Sequence, residues 1–168
     1  MNTIPEIRIH HFFDILRDFG TGNEIKPDSH FNNSYHSVAA RIRKNPKEKF
    51  KIVVGADSVC AGCKFLKNGS CTDHIGKPGF TSKNNYNDYL DRKILKVSGL
   101  KEGEMKSPAE LCLYAQSYLS HMDKLYDLND SMHTDWRKNQ VMKGLEYYNK
   151  HHQLNIDLAS WKEWLVSR

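Results

Sequence analysis

Three cysteines within twelve positions, Cys60-Ala61-Gly62-Cys63 followed by Cys71, constrain this chain more than any other feature. Two residues between cysteines let one tight turn aim both sulfurs at a common point. That is the local geometry a tetrahedral metal or the corner of an iron–sulfur cluster requires. Gly62 inside the turn and Gly69 before Cys71 make sharp backbone conformations cheap there. The fourth cysteine, Cys112, is remote in sequence, and only the fold can bring it to the others.

The setting favours a metal-binding or redox reading of those thiols. No apolar run approaches the roughly 18 residues of a membrane span. The segment Met1–Glu6 lacks a basic stretch followed by an apolar one, so a cytoplasmic chain with no membrane association is expected. In a reducing cytosol, paired cysteines are more often metal ligands or redox groups than structural disulfides. The 168 residues, 39% of them hydrophobic, suit one domain with an appendage. Net charge is +5, and much of it sits in Arg41, Arg43, Lys44, Lys47, Lys49 and Lys51. This 41–51 segment could face nucleic acid or an acidic protein. It reads more simply as a solvated turn, because Glu48 interrupts it and no aromatic residues alternate with the charges.

The apolar pattern predicts a mainly α fold, α+β with a minor two-stranded β element. Ile7-Arg8-Ile9 alternates like a short strand, and Phe50–Val54 is rich in β-branched residues. Pairing of the two would bring His10 and His11 towards Cys60 and Cys63. Phe12, Ile15, Leu16 and Phe19 recur at helical spacing, with Gly20 as a stop. Further helices are expected over 29–44, 85–97 and 108–125. The last starts on a capping box, Ser107-Pro108-Ala109-Glu110. A linker at 127–130 separates a metal-binding domain, 1–126, from a helical extension, 127–168, that carries Trp161 and Trp164. A phosphate loop, a nucleophile elbow and a His-Glu-x-x-His zinc helix are all absent from the sequence.

Three stretches together resemble a family. Ile7–Leu16 is similar to the opening His-His motif of a small prokaryotic family of unknown function, described as predicted iron–sulfur-binding. Asp57–Cys71 resembles its cysteine motif. Leu100–Glu104, with Ser107 and Glu110-Leu111, resembles its third block. The resemblance spans roughly residues 7 to 120. It implies a metal or cluster, and no particular reaction. The family carries a cysteine shortly after the two histidines where this chain has Asp14. If that cysteine is a ligand, Cys112 is the natural substitute, and Asp14, His10 or His11 are the other candidates.

The residues by themselves leave iron–sulfur and zinc open, since both accept thiolates. The resemblance favours iron–sulfur, a [4Fe–4S] rather than a [2Fe–2S] cluster, held by Cys60, Cys63, Cys71 and Cys112. Its expected roles are electron transfer to a redox partner protein, redox sensing or sulfur handling. One alternative is a zinc-stabilised interaction module that binds nucleic acid or an acidic protein through 41–51. Another is a small metalloenzyme whose cluster leaves one iron open near His10 and His11. Adjacent residues point about 100° apart on a helix, so the two histidines are not expected to share one metal.

Overall fold

The computed structural model describes residues 3–166. Met1 and Asn2, the first two residues of the segment read above for a leader, lie outside the described residues. The chain opens with strand β1 (Glu6–Ile7) and helix α1 (Ile9–Thr21). It continues through α2 (Tyr35–Lys44) and β2 (Phe50–Ile52) to a 3-10 turn, Ser58–Cys60. Two hairpins follow, β3 (Leu66–Lys67) with β4 (Ser70–Cys71) and β5 (His74–Lys77) with β6 (Phe80–Ser82). Helix α3 (Lys83–Ser98) and strand β7 (Met105–Lys106) come next. The chain then turns through α4 (Pro108–Leu113), α5 (Ala115–Ser120) and α6 (Met122–Leu125). It closes with α7 (Ser131–His152) and α8 (Leu158–Val166). No helix among the described residues is long and apolar enough to cross a membrane.

The fold is mainly helical with small sheets, as expected. The expected strand pairing is present: β1 runs parallel to β2, with Ile7 opposite Ile52. β7 adds a third strand antiparallel to β2. The first strand is shorter than its alternation suggests. Arg8 leaves the sheet as the N-cap of α1, and its side chain is buried.

Helix α1 supplies the centre of the core. It buries Phe12, Phe13, Ile15, Leu16 and Phe19, each worth roughly 1.5–3 kcal/mol when fully removed from water. Phe13 stacks on Tyr118 of α5 with centroids 3.9 Å apart. The most extensive partner of α1 is α7, which brings Val141, Leu145 and Tyr148 into the same core. Two glycines set their separation. A Cβ on Gly20 would stand 1.9 Å from the Gln140 carbonyl oxygen, and one on Gly144 would stand 1.8 Å from that of Leu16. Gly20 is therefore a contact point inside α1. The helix ends beyond it, at the left-handed Gly22.

Two expected helices differ in extent. The 29–44 helix begins only at Tyr35, because residues 31–34 commit their hydrogen bonds to the cysteine turn. The Ser34 amide donates to the Val59 carbonyl at 2.9 Å, and its hydroxyl donates to the Ala61 carbonyl at 2.8 Å. The Asn32 side chain donates to the Gly62 carbonyl at 3.2 Å. The 108–125 helix keeps its capping box, with Ser107 and Glu110 bonded reciprocally. It then breaks at Tyr114 and at His121, whose Nδ1 meets the Ser117 carbonyl oxygen at 2.8 Å.

Candidate functional site

The cysteine turn is held by a series of backbone hydrogen bonds. The Cys60 amide donates to the Asp57 carbonyl and the Cys63 amide to the Cys60 carbonyl, both at 3.0 Å. Gly62 sits at φ 80°, and a Cβ there would meet the Asn32 carbonyl oxygen at 3.0 Å. Cys71 returns to the turn through the β3–β4 hairpin. Asn68 (φ 51°) and Gly69 (φ 78°) make the two-residue turn that such hairpins favour, and they put Leu66 opposite Cys71. As a result Cys60, Cys63 and Cys71 line one cavity of about 90 Å³. His11, Phe31, Phe65 and Lys83 complete much of its wall.

His11 reaches this cavity through Asp57. One carboxylate oxygen of Asp57 accepts from the Arg8 amide at 2.7 Å and meets His11 Nδ1 at 2.8 Å. The other receives the Cys60 thiol at 3.5 Å. Burial opposes the charge on Asp57, but His11 and the Arg8 amide outweigh it and hold the carboxyl below its usual range. Burial also opposes protonation of His11. Asp57, helped by Asp14 and Asp91, nonetheless raises its pKa above the ordinary histidine value. Burial, reinforced by Asp57, pushes the Cys60 thiol up to about 12. That proton would have to leave on metal binding, so affinity for a metal would rise with pH.

A second carboxylate holds the ring of the neighbouring histidine. Asp91 of α3 is fully buried, accepts from the His10 amide at 3.0 Å and meets His10 Nδ1 at 2.7 Å. Its other oxygen accepts from the Arg8 guanidinium at 2.8 Å, and Arg8 also donates to Asp88 at 2.8 Å. The two adjacent imidazoles thus have their Nδ1 atoms engaged by different carboxylates, which leaves Nε2 of each available to a ligand. His11 lines the cysteine cavity. His10 does not; it lines a neighbouring cleft that His11 shares.

The remaining candidates sit elsewhere. Cys112 lies on α4 within the hydrophobic core, outside the lining of the cysteine cavity, and burial pushes its thiol up to about 12. Asp14 is ion-paired with Arg137 and Arg17 and also lies outside that lining. Within the basic 41–51 segment, Arg41 pairs with Glu48, Lys49 pairs with Glu110, and the Arg43 guanidinium lies 4.8 Å over the Phe19 ring. Much of that segment's charge is therefore already engaged.

Asp14 has a consequence for stability. Burial works against its charge, yet Arg137 and Arg17 draw the carboxyl down to about 2 from the usual 3.8. A depressed folded-state pKa contributes stability that is complete above the unfolded value and lost as pH falls through the folded one. The contribution, about 2 kcal/mol, should disappear as the pH drops from about 4 to about 2. Denaturant titrations across that range should show a shallower acid decline in Asp14→Asn. An unchanged decline would mean that the ion pair does not persist in solution.

The donors suit a metal or cluster in kind: three thiols and an imidazole whose Nδ1 is held by a carboxylate, the usual support for a ligating histidine. They are not gathered to a point. Among the described residues no group of three or more His, Cys, Asp or Glu side chains stands close enough to hold a metal ion. Asp57 and Asp91, the carboxylates that orient the site, are not apparent as such from sequence. Asp91 carries a signal: it falls on the inward side of α3 beside Leu90, Ile94 and Leu95, where a carboxylate demands a buried cation. The Asn68-Gly69 pair is a second signal, for the hairpin that carries Cys71.

One family description, "Protein of unknown function (DUF1284)", matches the chain, over residues 28–138. The matched interval includes all four cysteines and reaches into α7, and it begins after His10, His11 and Asp14. No curated protein and no solved structure matches.

Proposed function

We propose, for a chain that belongs to the protein family of unknown function DUF1284, that it binds an iron–sulfur cluster through Cys60, Cys63 and Cys71, with His11 as the nearest further donor. The observation that carries this reading is the single cavity lined by those four side chains. Such a cluster supplies one-electron chemistry and, where it lacks a fourth thiolate, an open Lewis-acidic position. The chain's own part is to bind and to orient. The hydrogen-bonded turn fixes Cys60 and Cys63, the β3–β4 hairpin delivers Cys71, and Asp57 holds the ring of His11. Phe31 and Phe65 make part of the wall apolar and limit water there. The cysteines must still draw together, and β4, a two-residue strand at the end of a short hairpin, is the element best placed to move.

A Cys3His zinc site is the second reading, and the Asp57–His11 contact favours it, because carboxylate-supported histidine is a recurrent zinc ligand. Anaerobic purification followed by iron, sulfide and zinc analysis separates the two. The iron–sulfur reading expects a coloured protein with iron and sulfide in equal amounts. Cys60→Ser, Cys63→Ser and Cys71→Ser should each lose both, and Cys112→Ser should retain them. A colourless protein with one zinc per chain would replace the first reading with the second. Retention of full metal content by all three single variants would refute both.

A further inference from the structure

The cysteine cavity shares a wall with a larger cleft of about 380 Å³. His11, Asn33, Lys83 and Asn87 contribute to both linings. That volume is in the range of small-molecule sites. The cleft's charged lining is cationic: Lys77, Lys83 and Arg137 stand against the single carboxylate of Asp14.

The cations are not equally neutralised. Lys83 pairs with Asp73 at 3.1 Å. Asp14 is divided between Arg137 and Arg17. Lys77 is hydrogen-bonded to the neutral side-chain oxygen of Asn129, so its charge meets an amide there rather than a carboxylate. Arg137 is itself buried, stacked 4.5 Å from the Tyr126 ring, and its Nε has no hydrogen-bond partner. A buried guanidinium is costly unless negative charge offsets it, and Arg137 shares its one carboxylate partner with Arg17. His133 at the rim reports the resulting field: burial, then Arg137, Arg17 and Lys77, hold its pKa below the usual histidine value.

We propose that this cleft binds a small oxyanion, the carboxylate or phosphate group of a metabolite, with Lys77 and Arg137 as its charge partners and His10 and His11 facing the rest of the molecule. A guanidinium and an ammonium lining one cleft suit such a group, the first as a directional donor and the second as a point charge. His10 and His11 also line the cleft with their Nδ1 atoms fixed by Asp91 and Asp57, so that each presents Nε2 to the rest of the molecule. Because His11 belongs to both linings, a ligand held here lies beside the cysteines. The cleft's chemistry stands whether or not those cysteines hold a metal.

The test is calorimetric titration of the full chain with inorganic phosphate and, separately, with succinate at low ionic strength. Saturable binding of one ion per chain is expected for at least one of them, and which one binds identifies the anion class. Lys77→Met should weaken it by about tenfold or more, whereas Lys49→Met, the same charge change on the basic 41–51 segment, should leave it within about twofold. In the wild type, NMR should show the His133 pKa rising when the anion saturates, because the added negative charge offsets the local field. This readout decides the matter alone if Lys77→Met fails to fold. No saturable binding of either anion, or equal weakening by both variants, would overturn the proposal. A protein that binds the anion but no metal would refute the cluster and leave the cleft standing, and one that carries a cluster but binds neither anion would do the reverse.

Discussion

Gly144→Ala is expected to destabilise the protein severely, although by helix propensity alone it should help. In an unobstructed helix interior the change gains about 1 kcal/mol. Here the new Cβ would stand 1.8 Å from the Leu16 carbonyl oxygen and 2.6 Å from its carbon. Those are backbone atoms of α1, so no side chain can swing aside. The two helices would have to separate, and Val141, Leu145 and Tyr148 would lose close packing against the α1 face. Overpacking of this kind costs about 1–3 kcal/mol when the backbone can adjust and more when it cannot. A net loss above about 3 kcal/mol is a large part of a typical total of about 5–15 kcal/mol. Gly20→Ala, which meets the Gln140 carbonyl, should behave alike. Gly76→Ala is the control: nothing lies within 4 Å of the place its new Cβ would occupy, and it should stay within about 0.5 kcal/mol. Urea unfolding monitored by circular dichroism measures all three. A Gly144→Ala protein as stable as the wild type would mean that the helices cross with room to spare.

Asp91→Ala is expected to cost a similar amount for a different reason. Asp91 is completely buried and receives the Arg8 guanidinium, the His10 amide and the His10 ring. Removing it leaves a buried arginine with Asp88 as its remaining carboxylate and strands two donors of His10. Breaking a buried pair from one side typically costs about 3–5 kcal/mol. Replacing both ends by apolar groups does not. The double variant Arg8→Met with Asp91→Leu should therefore recover much of the loss, and the difference from additivity measures the coupling. If Asp91→Ala loses less than about 1 kcal/mol in urea unfolding, the network is not a stability element.

The helical character, the β1–β2 pairing and the capping box are legible in the sequence, because each depends on local residue types at fixed spacing. That Cys60, Cys63 and Cys71 lie near one another is legible too, because the first two share one turn and Asn68-Gly69 signals the hairpin that returns the third, but their spacing does not bring the sulfurs to one point. Arg8 is misjudged from sequence, because alternation in a strand says nothing about a helix starting one residue later. Gly20 reads as a terminator, since a glycine that permits close approach and one that ends a helix look alike until the partner is known. Gly144 is the available clue, a glycine in the interior of α7 where propensity disfavours it. The carboxylates that orient His10 and His11 come from Asp57 and Asp91, far away in sequence, and no spacing rule joins them.

The pairing of α1 with α7 also bears on how the protein is made. During synthesis α1 emerges before α7, its principal partner, which cannot begin to form until residue 131. At roughly 5–20 residues per second that wait is on the order of ten seconds. Throughout it, the face of α1 that carries Phe12, Phe13, Ile15, Leu16 and Phe19 lacks the part of its covering surface that α7 supplies in the finished molecule. Transiently exposed apolar surface of this kind is what makes nascent chains prone to aggregation. His11 lies on that same waiting helix, so a centre that includes it gains its packed support only once α7 has been made.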